Sequence, residues 1–339
     1  MKYETVYGKV ELIPCESGFQ VISDIPFKKI TKNFAETEYK QAKEYFNNLK
    51  IEVETIIKEM EKIKKTVTST KSYLYKTLHN LLKTGFRKIL LYGPTGTGKT
   101  FTVIQVLKIL KKEKIIDEFT VFTFSSGMED IDILGKFIPE EKKVIKFEPS
   151  EFLKFVKSNR EKKIAIVFDE FNRAHSKTLN ILIPMLDERD GKVIIENFIA
   201  NEKIELPAEK VIFLFTANFG ASYTGTFQLD DAILNRIDLA IFSDYQEEVE
   251  KEIIKEIKDE SLREKAVKIK DFLRDAFKQG LIHPFTTRDV KTMVKLLSSS
   301  SDIYTAMLPL LHKLVKVDPQ GYPDTEFIEN FKQFLNEIK

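Results

Sequence analysis

The chain has no tryptophan, a single cysteine and only four histidines among its 339 residues. Cys15 alone can form neither an internal disulfide nor a thiolate metal cluster, so the expectation is a reducing, cytoplasmic location. His79, His175, His283 and His312 lack metal-ligand spacing, and no nucleophile stands at a recognisable distance from a base. No apolar run approaches the roughly 20 residues that span a bilayer, and the opening MKYETVYGKV does not read as a signal peptide. The expectation is a soluble chain without a membrane span. An excess of one charge is also missing. The 54 basic and 52 acidic residues leave +2, which gives no general argument for nucleic acid. There is no internal repeat and no low-complexity linker.

What is present is an apolar content of 42%, enough at this length for two or three domains with a core. Residues 1–72 begin with β-type runs, VELIP and FQVIS, punctuated by Pro14, Gly18 and Pro26. A helical pattern follows, with Ala35, Tyr39, Ala42, Phe46, Leu49, Val53, Ile56, Met60, Ile63 and Val67 at alternating steps of four and three. That period of 3.5 makes a coiled-coil-like seam on a helix ~50 Å long. The seam packs either along its own domain or on a second chain. The basic run Lys62, Lys64, Lys65, Lys71 and Lys76 reads as a solvated helix face, with an acidic partner or nucleic acid as the other possibility.

From residue 73 to 244 the pattern changes. KILLYG, FTVFTF, KIAIVF, VIFLF and LAIF read as five strands with helices between them, hence an α/β domain with a parallel five-stranded sheet. Inserted hairpins are expected around 136–147 and 193–206. Residues 245–339 carry charged amphipathic helices, read as a helical lid and a C-terminal tail.

GPTGTGKT lies between the first of these strands and a helix, the context that a phosphate-binding loop requires. In the loop Gly93, Pro94, Thr95, Gly96, Thr97 and Gly98, the glycines let the backbone N–H groups, which Pro94 lacks, turn onto phosphates, and the N-terminus of the helix that carries Phe101 adds its dipole. Lys99 would reach the β- and γ-phosphates of ATP, and Thr100 would hold Mg²⁺. Asp169, at the end of the apolar run IAIVF, can hold the same ion through water, and Glu170 can act as general base.

The segments GPTGTGKT, FDEFNRA, TANF, AILNRID and TTRD, in that order, resemble the AAA+ ATPases, and among them the MoxR group with its relatives CbbQ, NorQ and McrB. DEFNRA is close to that group's DE-hydrophobic-NRA signature, and YTGTFQLDDAILNRID leans toward CbbQ and NorQ. The resemblance covers roughly Leu74 to Val294. It implies that Asn218 is a sensor for the attacking water or γ-phosphate, an amide suiting that place because it adds no charge beside Glu170. It implies that Arg236 is an arginine finger reaching the ATP of the next subunit, and that Arg288 is a second sensor in the first turn of a lid helix. Asn172 and Arg173 are part of the signature and would position Glu170 or read the neighbouring subunit.

By the same resemblance the chain is expected to be a ring-forming AAA+ ATPase, a homo-oligomer and a hexamer. It would use ATP and Mg²⁺ to remodel or assemble a protein partner, one carrying a von Willebrand factor A domain. The hairpin near Lys136 to Phe147 would face the ring centre. Two other readings stay open: a McrB-like, GTP-driven motor acting on nucleic acid, and a nucleotide-gated scaffold with little turnover. The McrB reading is weakened by the lack of an MNTAD-like segment.

Overall fold

The computed structural model describes residues 1–5, 8–15, 18–25, 28–66, 72–140, 144–219, 231–300 and 302–338. Of the sequence features above, residues 223–230, Val67 and Lys71 lie outside the described residues, as do the side chains of Met60, Lys62, Ile63, Lys64 and Lys65.

The chain opens with an antiparallel meander of four strands, β1 (Lys2–Thr5), β2 (Gly8–Cys15), β3 (Gly18–Ile25) and β4 (Lys28–Phe34), followed by the long helix α1 (Tyr39–Thr66). At 28 residues α1 is about 42 Å long. Val10, Leu12, Val21 and Phe34 of the sheet bury Ala42, Phe46, Leu49 and Val53 of α1, together with Ile109 from the following domain. Those four helix positions are the middle of the seam. Over this stretch the seam is filled by the chain's own sheet, which settles the choice that the 3.5 period left open. Ala35 and Tyr39 fall outside it because both are exposed.

The second unit begins with α2 (Tyr73–Lys83), capped by Ser72, and then alternates strand and helix. In order come β5 (Lys88–Gly93), α3 (Lys99–Lys112), β6 (Glu118–Thr123), α4 (Asp130–Leu134), the hairpin β7 (Lys136–Glu140) and β8 (Val144–Glu148), α5 (Glu151–Ser158) and β9 (Ile164–Asp169). Then follow the short helices α6 (Ser176–Leu179) and α7 (Leu182–Leu186), a small antiparallel sheet β10 (Glu188–Arg189), β11 (Lys192–Asn197) and β12 (Glu202–Pro207), then β13 (Val211–Asn218), α8 (Asp231–Leu234) and β14 (Leu239–Phe242).

Five strands form the parallel sheet, in the order β14-β5-β13-β9-β6. Strand parity decides what each face does. Ile89, Leu91, Ala165, Val167 and Leu214 bury against Val103, Val106 and Leu107 of α3 and against α2. Leu90, Ile166, Phe168, Phe213 and Phe215 turn to the opposite face, where α5, α7 and the β11–β12 hairpin cover them. Both faces are apolar and both are covered by helices, as parallel sheets require. On the second face Phe124, Phe168, Phe171, Phe213 and Phe215 form a close-packed aromatic group, with Phe168–Phe215 centroids 5.5 Å apart.

The third unit is helical: α9 (Glu247–Ile254), α10 (Glu260–Lys278), α11 (Thr287–Ser299), α12 (Ile303–Leu314) and α13 (Thr325–Glu337). Its core is its own, built on Ile253, Ile269, Leu273, Phe285, Met293, Leu311 and Phe331 among others. Among the described residues no helix is long and apolar enough to cross a membrane.

Candidate active site

Parallel strands gather their ligands at their carboxyl ends, and here three adjacent strands deliver polar residues to one edge. β5 runs into the phosphate loop, β9 ends on Asp169, and β13 ends on Asn218, which stands in register with Gly93. The strand that the sequence shows as VIFLF therefore continues through Thr216, Ala217 and Asn218. Asp169, Thr216 and Asn218 share the parity of Val167 and Leu214, so they face α3, the helix that carries Thr100.

At Gly93 and Gly96 the phosphate loop is packed too closely for a side chain. Gly93 has φ +140°, and a Cβ there would come within 2.1 Å of the Ser243 carbonyl oxygen. Gly96 has φ +73°, and its Cβ would meet Thr286 of the lid at 2.4 Å. The loop is thus pressed against both the end of β14 and the start of α11. Thr97 Oγ1 accepts a bond from Ser243 Oγ at 3.0 Å, and Tyr245 Oη donates to the Thr95 carbonyl at 3.0 Å.

Lys99 folds its buried amine over this loop, donating to the carbonyls of Gly93 (3.0 Å) and Pro94 (2.6 Å). Burial pulls its pKa down from 10.5 to about 8, against the opposing pull of Glu170 and Asp169. Next to it, Thr100 Oγ1 donates to Asp169 Oδ1 at 2.5 Å. These two hard oxygens are the donor type that Mg²⁺ takes, and with phosphate oxygens and water they fit such an ion. Among the described residues no group of three His, Cys, Asp or Glu side chains offers a metal site independent of nucleotide.

Thr216, which the sequence reading did not single out, ties the acids together. Its hydroxyl donates to Asp169 Oδ1 at 2.5 Å and accepts the Glu170 N–H at 2.9 Å. The available signal was its place two residues before Asn218 on the same strand face. Glu170 has a left-handed backbone (φ +52°), which turns its side chain out of line with the strand. One carboxylate oxygen accepts from Asn218 Nδ2 (3.1 Å) and the other meets Arg173 Nε at 2.6 Å. Asn172 is fully buried and clamps the end of β13: it donates to the Asn218 carbonyl at 2.8 Å and accepts the Asn218 N–H at 3.3 Å.

Replacing Thr216 by valine keeps the shape but leaves the Glu170 N–H without its acceptor. A loss of about 1–3 kcal/mol in stability is expected from that orphaned group. Urea unfolding of the variant beside the wild type measures it, and an unchanged midpoint would show that the hydroxyl bridge is dispensable.

The remaining residues predicted from sequence lie in two further places. Arg288 is the second residue of α11, behind a capping box in which Thr286 and Asp289 bond reciprocally. It lines a pocket of about 240 Å³ with Gly96, Thr97, Gly98, Phe101 and Gln246, between the loop and the lid. Asp169 and Glu170 lie outside that lining. Arg236 follows the end of α8 and is bonded neither to the acids nor to the loop. Its Nε and Nη2 pair with Asp187 Oδ1 and Oδ2 at 2.6 and 3.0 Å. His175 is exposed.

A phosphate loop, an adjacent acidic strand end, a polar third strand end and the 5-1-4-3-2 order of the sheet are the features of a P-loop nucleotide-binding α/β domain. Residues 88–237 match the family model described as AAA domain (dynein-related subfamily). The matched segment starts with β5 and stops before β14, leaving the N-terminal unit and the lid outside it. No curated protein gives a significant match. Among solved structures, a crystal structure of a candidate ATPase from Cytophaga hutchinsonii is 18% identical, with 87% of this chain and 98% of that one aligned and a TM-score of 0.38. So loose a superposition carries nothing beyond the likeness itself.

Proposed function

We propose that this protein is a ring-forming AAA+ ATPase of the MoxR type, coupling ATP hydrolysis to the remodelling or assembly of a protein partner. The observation that carries this reading is the division of labour at the strand ends. One chain supplies a phosphate loop, an oxygen pair for Mg²⁺ and a carboxylate, while Arg236 is bonded away from all of them. An arginine held apart from its own site suits use by the next subunit.

Within one subunit, Lys99 and the loop N–H groups bind the phosphates, and the lid's Arg288 closes the pocket from above. Thr100 and Asp169 would hold Mg²⁺, which would neutralise charge on the phosphate oxygens. Glu170 takes the proton from water once one of its two oxygens is released from Arg173 or Asn218. The Asn218 amide oxygen, which has no bonded partner among the described residues, orients that water. Arg236 supplies positive charge to the neighbouring site. The exposed Phe137 and Ile145 on the β7–β8 hairpin form the surface that would grip a protein partner, whether or not it carries a von Willebrand factor A domain.

Hydrolysis of Mg-ATP per subunit should rise with protein concentration, and Arg236→Ala should lower kcat by about 10³-fold. Specific activity that stays flat with concentration, in a mutant of normal rate, would remove the shared site and leave a monomeric switch or preformed scaffold.

A further inference from the structure

Asp187 has no place in the scheme above, yet it makes a two-point ion pair with Arg236. It lies between α7 and β10, at the base of the β10–β12 sheet, and is 49 residues from Arg236 in sequence. The pairing is side-on: Nε and Nη2 of one guanidinium edge meet the two carboxylate oxygens, at 2.6 and 3.0 Å. Nη1 donates to the Ala232 carbonyl at 2.6 Å. Of the five N–H donors on the guanidinium, these bonds use three. Among the described residues, one donor is left on each terminal nitrogen. Nη1 and Nη2 lie at the end of the fork, the edge that matches a pair of phosphate oxygens.

We infer that Asp187 is a positioning residue for the finger: it grips the side edge of Arg236 and leaves the end edge free to bridge phosphate oxygens bound to the next subunit. This inference rests on the finger role proposed for Arg236. A free arginine side chain carries rotamer entropy, and holding it in advance lowers what must be lost when the transition state forms. The side-on fork fixes both the position and the plane of the guanidinium, which a single-point contact would not. Asp187 also feels the pairing: bonding to Arg236 holds its pKa below the usual carboxylate value, with Arg189 and Lys88 adding to the pull. The carboxylate therefore stays ionised, and the grip stays intact, well below neutral pH. Because Asp187 stands at the base of the β10–β12 sheet, that sheet and the finger are joined through one contact.

The alternative is a structural ion pair at a partly exposed position, which would contribute little to stability and nothing to the chemistry. Subunit mixing separates the two. Asp187→Asn keeps the shape but offers only one acceptor oxygen, so the fork is lost. Alone, it should hydrolyse ATP at roughly a tenth of the wild-type kcat or less, with KM for ATP changed little, because its own pocket is untouched.

Co-assembled at equal ratio with Glu170→Gln, which has an intact finger but no base, it should regain activity well above the sum of the two alone. A random mixture should reach roughly a quarter of the wild-type rate per subunit, the chance that an intact site faces an intact finger. Arg236→Ala co-assembled with Glu170→Gln is the reference. If that pair fails to complement, the finger reading itself is wrong and the role of Asp187 goes with it. If it does complement but Asp187→Asn does not, or if Asp187→Asn alone runs at or above the wild-type rate, Arg236 acts without help from Asp187 and the inference is overturned.

Discussion

Replacing Lys99 by methionine is expected to weaken ATP binding by at least about 100-fold. The amine is folded over the phosphate loop, and charge-assisted bonds of this kind are worth about 1.5–3 kcal/mol each. Equilibrium binding of a fluorescent ATP analogue reads the loss directly, and near-normal affinity in the variant would mean that the loop N–H groups suffice. The same residue gives binding a pH dependence. Its pKa in the free protein is about 8, so the amine loses its proton as pH rises through that value, and affinity should fall above it.

Stability should respond in the opposite direction. Below about 8 the folded and unfolded chains both keep the proton; between about 8 and 10.5 only the unfolded chain does. Wild-type stability without nucleotide should therefore rise with pH across that window, relative to Lys99→Met. The full gain is roughly 3 kcal/mol at about 1.4 kcal/mol per pH unit. Urea unfolding of both proteins at pH 7 and 10 gives the difference, and parallel pH profiles would show that burial does not tax this amine.

Arg274→Ala is expected to destabilise the lid by about 3–5 kcal/mol, because it strands a buried charge. Glu250 of α9 is only 3% exposed and bonds to Arg274 Nη2 at 2.5 Å and to Thr287 Oγ1 at 2.8 Å. Arg274 also donates to the Phe285 carbonyl at 2.5 Å and lies 3.8 Å from the centre of the Tyr245 ring. Tyr245 in turn holds the Thr95 carbonyl of the phosphate loop. The chain of contacts runs from the loop through Tyr245 and Arg274 to Glu250 and Thr287, the residue next to Arg288.

The double variant Arg274→Met, Glu250→Leu removes both charges and should recover most of the lost stability, since apolar replacements of a buried pair are often neutral. It should not restore coupling between lid and loop. A double-mutant cycle in urea, with ATPase assays on the same proteins, separates the two effects. A single variant as stable as the wild type would show that water reaches Glu250 and the pair is not buried in solution.

Much of the site was legible because its signals are local. GPTGTGKT needs only the strand before it and the helix after it, and the Thr286–Asp289 capping box is complete within four residues. The adjacent acids at the end of an apolar run were equally plain. Thr216 was not, because its partners Asp169 and Glu170 are 47 and 46 residues away in sequence and meet it only through strand register. The same holds for Asn172 with Asn218 and for Asp187 with Arg236, pairs separated by 46 and 49 residues. Each residue alone is an ordinary polar side chain, and no spacing rule links it to the other.

The seam on α1 shows the limit from another side. Its period fixed that Ala42, Phe46, Leu49 and Val53 share a face, because that follows from helix geometry alone. What covers the face depends on where the chain folds back, and the β1–β4 meander reaches it first. By itself the sequence determined the α/β class, the nucleotide loop and the acids, all read from periodicity and short-range motifs. Only the tertiary structure decided how Glu170 is tied, which residue grips Arg236 and where α1 buries its apolar stripe, because those depend on contacts between distant segments brought together by the sheet.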